Sequence, residues 1–321
     1  MRAMQITEYH EPLSLQEVEM PVVQAGQVLV RVQTCGLNFA DLLSIKGTYQ
    51  EKPPLPFTPG MELAGEITVV GAGVEHLQVG QRIAAYAGQG GLGEYVALPA
   101  DICVPIPDVM DALDAAAFLI AYGTAHVGLG YKAGLKPGER LLVLGASGGV
   151  GLTAVELGKL MGAEVIACAR GADKLEICRA AGADHLINSQ SDDIRAVVKA
   201  LGGADVVYDP IGGDQFNAAL RACNPEARIL PLGFASGAVP QIPANILLVK
   251  NLTVLGFYWG GYARINPAVL TDSFRVLFDW YGAGKLKPHV STVLPLEQAN
   301  AGLELLRNRK ATGKVVIRIA D

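Results

Sequence analysis

The chain has 321 residues, of which 50% are hydrophobic and 18% are charged, and its formal net charge at pH 7 is −5. A chain of this length is longer than one that usually folds around a single hydrophobic core, and it suits two domains. Its lysines and arginines form no cluster, which argues against nucleic acid and anionic membrane surfaces as partners, because both require a basic footprint.

Cysteine usage and the apolar segments predict a cytoplasmic location. The five cysteines are odd in number and scattered along the chain, which favours reduced thiols over a disulfide framework. The first eight residues show no apolar stretch of the secretory type. No apolar run approaches the roughly 18 residues that a membrane span needs.

The first third of the sequence predicts β-structure. Residues 27–33 alternate between apolar and polar, as a half-buried strand does. Shorter strands bounded by glycine are predicted at 64–70, 81–86 and 94–98. Prolines 53, 54, 56 and 59 make the segment between them a rigid loop.

After residue 112 the pattern changes to alternating strands and helices. The predicted strands are residues 141–145, 164–168, 185–187, 205–208, 228–232 and 252–257. The predicted helices between the first five are residues 150–161, 173–181, 192–201 and 215–223. This alternation indicates an α/β fold with a Rossmann-type, doubly wound parallel sheet of six strands.

The tail predicts a return to the first domain. It contains an amphipathic helix at 267–282, a helix at 296–307 and a strand at 314–319. That last strand has no partner in a complete six-stranded Rossmann sheet. We therefore expect domains at residues 1–119, 120–260 and 261–321, the third segment rejoining the first.

A literal G-x-G-x-x-G occurs at residues 88–93 but is expected to be an ordinary loop. The dinucleotide fingerprint needs a strand before the glycines and a helix after them. Here another strand follows. A degenerate version at residues 146–151, ASGGVG, has the right context, because it follows a strand and opens a helix whose first amides favour a pyrophosphate. In this loop Gly148 would let the backbone approach the phosphates, and Gly151 would let the helix pack on the strand.

The same segment also reads G-x-S-x-G, the nucleophile elbow of α/β-hydrolases. Ser147 with Asp209 and His289 would satisfy the order of a catalytic triad. No HGGG-type oxyanion motif precedes it, and the hydrolase interpretation leaves Gly151 unexplained. The hydrolase therefore stays a remote alternative.

The end of the second Rossmann strand indicates the cofactor. NAD-specific units place a carboxylate there for the ribose 2′-hydroxyl. Here Ala169 ends the strand, Arg170 follows, and Lys174 opens the next helix. A guanidinium can hold a 2′-phosphate by two hydrogen bonds, so we expect NADPH. Two solvated cations at a strand end remain the alternative.

Several segments together resemble the zinc-free, zeta-crystallin-like quinone oxidoreductases of the medium-chain dehydrogenase/reductase superfamily. They are CGLNFAD at 35–41, KGTY at 46–49, PGMELAG at 59–65, the loop at 145–151, VYDPIGG at 207–213 and ATGKVV at 311–316. The resemblance implies a GroES-like catalytic domain built from both termini, a Rossmann domain inserted between, and an active cleft between the two. It also implies a homodimer formed through the sheet edge near residues 252–257.

The resemblance also implies which residues bind the cofactor. The pyrophosphate would be held by Ser147, Gly148, Gly149 and Val150. The adenosine phosphate would be surrounded by Arg170, Lys174 and Ser189, the serine replacing a larger side chain. The ribose and nicotinamide would be lined by Gly213, Leu232, Gly233, Phe234, Ala235, Phe257, Tyr258 and Trp259.

Zinc is not expected. Zinc-dependent relatives use a Cys, a His and a second Cys or acidic residue as catalytic ligands, and the matching positions here are Asn38, Met61 and Ala116. Glu62 alone cannot supply the three protein ligands of a catalytic zinc site. The segment at 86–94 also lacks the cysteines of the structural zinc lobe.

Without a Lewis acid, the expected substrate is an acceptor already activated by conjugation, first of all a quinone. Tyr49 and Asn38 are the candidate hydrogen-bond or proton donors, and Asp41 would orient their loop or simply cap the helix beginning near Leu42. One alternative is an enoyl or acryloyl thioester or 2-alkenal reductase. Another is an NADPH-binding protein without turnover, of the crystallin or RNA-binding kind.

Overall fold

The computed structural model describes residues 1–320. The strands in chain order are β1 (Arg2–Gln5), β2 (Ser14–Glu17), β3 (Gln27–Leu37), β4 (Glu62–Val70), β5 (Arg82–Tyr86), β6 (Tyr95–Pro99), β7 (Cys103–Pro105), β8 (Arg140–Leu144), β9 (Glu164–Ala169), β10 (His185–Asn188), β11 (Ala204–Asp209), β12 (Cys223–Pro231), β13 (Thr253–Val254), β14 (Val290–Pro295) and β15 (Lys314–Arg318). The α-helices are α1 (Phe39–Ile45), α2 (Ala112–Ala116), α3 (Leu119–His126), α4 (Gly149–Leu160), α5 (Ala172–Ala180), α6 (Ile194–Ala200), α7 (Gly213–Ala222), α8 (Ala244–Lys250), α9 (Tyr262–Ile265), α10 (Pro267–Gly282) and α11 (Ala299–Arg307). A π-helical turn, Val127–Lys132, continues α3.

The chain forms two compact units, one of Met1–Ile120 with Phe278–Asp321 and the other of Ala121–Leu277. In the first unit a sheet of seven strands has the order β14-β15-β3-β4-β5-β7, and β6 also pairs with β3. The apolar positions of β3 explain its central place, because Val28, Val30 and Val32 are fully buried in the core of this unit. Strand β15 pairs antiparallel with β3, so the tail contributes a strand to this sheet.

The second unit contains a parallel sheet with the strand order β10-β9-β8-β11-β12-β13. This is the 3-2-1-4-5-6 order of a doubly wound dinucleotide-binding fold. The strands are short and almost wholly apolar, as expected for a sheet that helices cover. Helices α4 and α7 pack on the central strands, and Leu142, Ile166 and Val207 are fully buried. The predicted fold class is confirmed.

The two units divide later along the chain than the expected boundary at residue 261. Helix α10 begins in the second unit, where the rings of Phe274 and Trp259 are 6.1 Å apart. Its last turn belongs to the first unit, where Phe278 stacks on Phe118 at 5.6 Å. The helix therefore changes unit between Leu277 and Phe278, which a periodic apolar pattern alone could not reveal.

Most predicted elements are present, with shifted ends. Strand β3 continues four residues beyond its predicted end at residue 33, to Leu37. The predicted strand at 252–257 is reduced to the two residues of β13 at the edge of the sheet. The prediction missed β14, whose burial alternates between half-buried and exposed, so that its apolar signal is weak.

Candidate cofactor and active site

In the second unit, the turn between β8 and α4 has the geometry of a phosphate-binding loop. Gly145 has φ of +59°, a left-handed conformation. The amide of Ala146 donates to the Cys168 carbonyl at 3.0 Å, which ties the turn to β9. The Leu152 amide donates to the Gly148 carbonyl at 2.8 Å as the helix begins. The amides at the start of α4 thus carry the positive end of the helix dipole.

Gly148 and Gly151 of this loop differ in the space that surrounds them. A Cβ on Gly151 would lie 2.3 Å from the Gly145 carbonyl oxygen, so α4 packs too closely on the turn for any side chain. A Cβ on Gly148 would meet only that same oxygen, at 3.4 Å. Gly148 has φ −81° and ψ 174°, which any residue can adopt. Nothing inside the protein requires glycine at 148.

The same turn does not have the strained backbone of a hydrolase elbow. In such an elbow the serine itself occupies a sharp, strained turn that exposes its hydroxyl. Ser147 is 7% exposed and is not among the residues with positive φ. The left-handed residue is Gly145, two positions earlier. The local geometry therefore favours the phosphate-binding interpretation.

The end of β9 brings cationic side chains together. Arg170 is exposed, and Lys174 is half-buried at the start of α5. Burial, and then the nearby Arg170 charge, lower the pKa of Lys174. Ser189 lies beside them, because its amide donates to the Ala169 carbonyl at 2.9 Å. The structure thus places these three predicted residues at one corner of the sheet.

The loops after β11 and β12 are joined by hydrogen bonds. The Leu232 amide donates to the Asp209 carbonyl at 2.8 Å, and the Ala235 amide donates to the Pro210 carbonyl at 3.1 Å. The Gly213 amide donates to the Ala238 carbonyl at 3.2 Å. These bonds bring the predicted residues Gly213 and 232–235 together at the carboxyl edge of the sheet, where doubly wound folds bind ligands.

Asp209 organises this edge, a role that the sequence analysis missed. It ends β11 and is fully buried. Its Oδ1 accepts hydrogen bonds from the amides of Ile211 at 2.7 Å and Gly212 at 2.9 Å. Burial raises the pKa of its carboxyl group. In the sequence, an aspartate that ends an apolar strand shortly before two glycines is the signal that could have indicated this turn.

The aromatic residues after β13 do not share one environment. Tyr258 is 41% exposed, whereas Trp259 is 6% exposed. A Cβ on Gly123 would lie 2.8 Å from the Trp259 indole, so this ring packs directly against α3. The Phe257 ring contacts the π-helical turn, 3.2 Å from where a Gly128 Cβ would be. Trp259 is therefore held as an internal packing residue of the second unit.

In the first unit, Asn38 belongs to a buried polar cluster. Its Nδ2 donates to the Gly36 carbonyl at 3.0 Å and to Glu62 Oε2 at 3.2 Å. Its Oδ1 accepts from Lys314 Nζ at 2.7 Å. The reverse amide orientation would turn the NH2 group toward the ammonium, so the chemistry fixes the assignment. Both amide hydrogens are thus engaged, and Asn38 retains one acceptor lone pair.

Glu62 and Lys314 form the ionic part of this cluster. Glu62 is 0% exposed and Lys314 is 5% exposed. Lys314 Nζ donates to Glu62 Oε2 at 2.8 Å, and the Ile120 amide donates to Oε1 at 2.8 Å. From the sequence, Glu62 was expected only as an insufficient metal ligand, and no pattern indicated Lys314. Their sequence separation of 252 positions hides the pair from any local pattern.

Asp41 lies in the first turn of α1, and Tyr49 lies beyond its end. Asp41 is 1% exposed, and its Oδ2 accepts from the Asn38 amide at 2.8 Å, so it caps the helix start. Burial raises the pKa of Asp41 to about 6. The helix begins at Phe39 rather than near Leu42. Tyr49 is half-buried in the bend that follows α1.

The glycine-rich segment at 88–93 serves packing, as expected of a loop. The Gly91 amide donates to the Gly60 carbonyl at 2.9 Å. A Cβ on Gly91 would lie 2.8 Å from both that carbonyl oxygen and Cys35 Sγ. The close approach of two backbones, rather than a ligand, explains these glycines.

The comparisons with known proteins agree with this architecture. A family model described as alcohol dehydrogenase GroES-like domain matches residues 24–108, and one described as zinc-binding dehydrogenase matches residues 149–273. The quinone oxidoreductase-like protein 2 homolog of Nematostella vectensis is 41% identical over 323 residues, which cover 98% of this chain and 88% of that protein. The chain belongs to the quinone oxidoreductase-like family of medium-chain dehydrogenases/reductases. The human synaptic vesicle membrane protein VAT-1 homolog is 31% identical over 315 residues, 92% of this chain and 80% of that protein.

Solved structures resemble this member of the quinone oxidoreductase-like family over nearly their whole length. The quinone oxidoreductase of Thermus thermophilus, whose structures include a complex with NADPH, has a TM-score of 0.88 at 33% identity, covering 99% of this chain and 100% of that one. The Escherichia coli quinone oxidoreductase complexed with NADPH has a TM-score of 0.94 at 27% identity, with coverage of 99% and 100%. Within residues 1–320, no helix combines the length and apolar character needed to span a bilayer.

One of the two family models is described as a zinc-binding dehydrogenase. Whether this chain could bind zinc depends on the donor atoms available in the first unit. The resemblance assigns the zinc-ligand positions of metal-dependent relatives to residues that here carry an amide (Asn38), a thioether (Met61) and a methyl group (Ala116). Catalytic zinc needs three ligands from Cys, His or carboxylate. Among the described residues, no group of three or more His, Cys, Asp or Glu side chains is placed to hold a metal. The residues present do not fit a catalytic zinc ion.

Proposed function

We propose that this chain is an NADPH-dependent oxidoreductase that reduces a conjugated carbonyl acceptor, above all a quinone, without a metal ion. The observation that carries the proposal is the carboxyl edge of the parallel sheet in the second unit. Three features there each follow a strand of the sheet: the start of α4, the turn at 209–213, and the group of Arg170, Lys174 and Ser189, which we call the Arg170 corner. Family membership and the NADPH complexes of its structural relatives support the same cofactor.

The fit to NADPH rests on features of the chain itself. Gly148 leaves open space beside free helix amides, where a pyrophosphate can approach. Arg170 and Lys174 supply two cations where an NAD-specific unit would have a carboxylate. We therefore propose that Ser147, Gly148, Gly149 and Val150 hold the pyrophosphate and that the Arg170 corner holds the 2′-phosphate.

Bound NADPH supplies a hydride to the acceptor. The protein then has to position the acceptor and provide a proton or hydrogen bond to its oxygen. The amide hydrogens of Asn38 are committed to Gly36 and Glu62, so we propose Tyr49 as the donor. Asn38 and Asp41 act by holding the loop that precedes it.

The electrostatics of the first unit support an acceptor that is already activated by conjugation. A saturated ketone concentrates the developing negative charge on one alkoxide oxygen, which a metal ion or several hydrogen-bond donors stabilise best. The buried cluster at Asn38 contains the Glu62–Lys314 ion pair rather than a metal ligand set. A quinone delocalises the charge over its own ring, so a single hydrogen bond is sufficient.

A turnover screen tests this proposal. NADPH oxidation would be followed with 1,4-benzoquinone, 9,10-phenanthrenequinone, a 2-alkenal and crotonyl-CoA, each with NADH as the comparison. We expect turnover with the quinones and a preference for NADPH. Faster turnover of crotonyl-CoA or the 2-alkenal would assign the chain to enone reduction. NADPH binding without any turnover would indicate a binding protein.

The role of Tyr49 is tested separately. The Tyr49→Phe variant removes the hydroxyl while keeping the ring, so NADPH affinity should stay unchanged. Loss of general acid catalysis costs about 10²–10⁴ in rate when the proton transfer limits turnover. Wild-type kcat in this variant with every active acceptor would remove Tyr49 from the mechanism.

We also propose that the chain forms a homodimer through the sheet edge at β13. Strand β13 pairs with only Arg228 and Ile229 of β12, so a second copy could extend the pairing at this edge of the sheet. Helix α8 beside it has no buried residue, and its Leu248 and Val249 are 78% and 76% exposed. Light scattering should give twice the chain mass, and Leu248→Glu should give monomers.

The five free, buried cysteines support a reducing compartment such as the cytoplasm as the location of the chain.

A further inference from the structure

The KGTY segment at residues 46–49 carries the proposed proton donor, and packing within the first unit explains its glycine. Gly47 has φ of +63°, a left-handed conformation that favours glycine. A Cβ there would also lie 3.0 Å from Cγ and Cδ1 of the Tyr9 ring. The ring therefore lies directly on the Gly47 backbone, two residues before Tyr49. We call residues 46–56, which follow α1, the Tyr49 loop.

The chain on either side of the Tyr49 loop is hydrogen-bonded to the same short segment after β1. Before the loop, the His10 amide donates to the Ile45 carbonyl at 2.9 Å. After the loop, Ile6 and Phe57 exchange two backbone hydrogen bonds, at 2.9 and 3.2 Å. The five residues from Ile6 to His10 therefore connect the two ends of the loop, and we call them the N-terminal brace.

Tyr9 is the residue of the N-terminal brace whose side chain contacts the Tyr49 loop itself. It is half-buried and packs against the hydrophobic core of the first unit. Its ring lies on Gly47, and its hydroxyl donates to the Pro53 carbonyl at 3.5 Å. A hydrogen bond of this length is weak, so the ring makes the larger contribution. One side chain thus contacts the loop both before and after Tyr49.

The contact with Gly47 bears on Tyr49 because the residue between them is also fixed. The Thr48 amide donates to the Leu43 carbonyl at 2.9 Å, which ties the start of the loop to α1. The Tyr9 ring adds a second contact to the same stretch of backbone. The start of the loop therefore cannot leave α1 without displacing a side chain that is packed on the core.

We propose that Tyr9 is a positioning residue, which holds Tyr49 where its hydroxyl can donate to the acceptor. The inference rests on the proposed function, because Tyr9 acts on the reaction only through Tyr49. A donor has to stay within hydrogen-bond reach of the oxygen that it protonates, and a displacement of about 1 Å can lower the rate about a hundredfold. Loss of the Tyr9 ring should therefore lower kcat. NADPH affinity should not change, because the proposed cofactor-binding residues belong to the second unit.

The first experiment compares turnover in three variants. Tyr9→Leu removes the ring, and Tyr9→Phe removes only the weakly bonded hydroxyl. Tyr95→Leu is the matched control, because Tyr95 is also half-buried in the first unit but lies on β6, which pairs with β3. With the best quinone of the screen, kcat should fall about tenfold or more in Tyr9→Leu, and Tyr9→Phe should retain most of the activity. Tyr95→Leu should keep wild-type kcat, and all three variants should bind NADPH as wild type does.

The second experiment measures the Tyr49 loop without turnover. Hydrogen exchange, followed by mass spectrometry of peptides that cover the loop, reports how often its backbone opens. The Thr48 amide should exchange about tenfold faster in Tyr9→Leu than in wild type, because its hydrogen bond to Leu43 is then less protected. Tyr95→Leu should leave the exchange of these peptides unchanged.

A double-variant cycle tests whether Tyr9 acts through Tyr49. In the Tyr49→Phe background there is no hydroxyl left to position. Adding Tyr9→Leu to that background should therefore change kcat far less than Tyr9→Leu does alone, because two residues that serve one interaction have non-additive effects.

The possible outcomes separate the inference from the proposed function. Wild-type kcat or wild-type loop exchange in Tyr9→Leu would overturn the inference alone. Equal losses of kcat in Tyr9→Leu and Tyr95→Leu would also overturn it, because they would indicate a general loss of stability. Additive losses in the double-variant cycle would show that Tyr9 does not act through Tyr49. A wild type that reduces no acceptor would overturn the proposed function, and with it any part of Tyr9 in a reaction.

Discussion

The two glycines of the α4 turn give a prediction in which binding and folding separate. In Gly148→Ala the new methyl group meets only the Gly145 carbonyl oxygen, at 3.4 Å. Replacing glycine by alanine in a compatible conformation gains about 0.4–1 kcal/mol through the unfolded state. The loss of a favoured residue at the helix N-cap offsets part of that gain. The free energy of unfolding should therefore stay within about 1 kcal/mol of wild type.

Gly151→Ala is the matched control. Its methyl group would lie 2.3 Å from the Gly145 carbonyl oxygen and 2.9 Å from Ala146 Cα, both backbone atoms that cannot rotate away. Helix α4 has to shift from the turn, and overpacking of this kind costs about 1–3 kcal/mol. Urea denaturation of the two variants measures the difference directly.

For NADPH binding, we expect Gly148→Ala to have a large effect, although its effect on stability is small. Because the methyl group of Gly148→Ala points into the space proposed for the pyrophosphate, NADPH affinity should fall about tenfold or more, which corresponds to about 1.4 kcal/mol. Fluorescence titration with NADPH measures this affinity. Gly148→Ala binding as tightly as wild type, or losing as much stability as Gly151→Ala, would refute the reasoning.

Three further predictions concern charge and burial. Arg170→Ala should weaken NADPH binding about tenfold or more and leave NADH binding unchanged, whereas the exposed Arg195→Ala should change neither; equal losses for both cofactors would contradict a 2′-phosphate contact. The raised pKa of Asp41, about 6 against a usual 3.8, means that its stabilising contribution is complete below pH 3.8 and is lost as the pH rises through 6. As the pH rises from 3.8 to 6, the free energy of unfolding of Asp41→Asn should therefore rise by about 2 kcal/mol relative to that of wild type, and a flat difference in urea titrations across this range would show that the carboxyl titrates normally. Burial raises the pKa of all five thiols, so Ellman's reagent at pH 8 should label none in the native protein and five after denaturation; rapid native labelling would locate an exposed cysteine.

The second unit could largely be predicted from the sequence because its signals are local. A short apolar strand, a glycine turn and a helix follow each other within about 20 residues, and each β-α unit repeats the pattern. The absence of a carboxylate at the end of β9 can be read directly from the sequence. What remained hidden was packing: only the approach of α3 to the indole shows that Trp259 is internal.

The polar pocket of the first unit could not be predicted in the same way. Asn38, Glu62 and Lys314 lie at the start of α1, on β4 and on β15, and 276 residues separate Asn38 from Lys314. A lysine at the start of an apolar strand usually indicates an exposed end. Only the pairing of β15 with β3 turns this side chain inward, and sequence periodicity carries no information about such pairing.

The position of β15 within its sheet has a consequence for the order of folding during synthesis. This strand lies between β14 and β3, so the sheet of the first unit is interrupted until residues 314–318 have left the ribosome. The second unit is encoded entirely before that point, within Ala121–Leu277, and domains generally fold as units once they emerge. The N-terminal strands are thus made first but completed last. A chaperone that binds nascent chains would meet β3 with residues 34–37 still unpaired on the edge that β15 later covers.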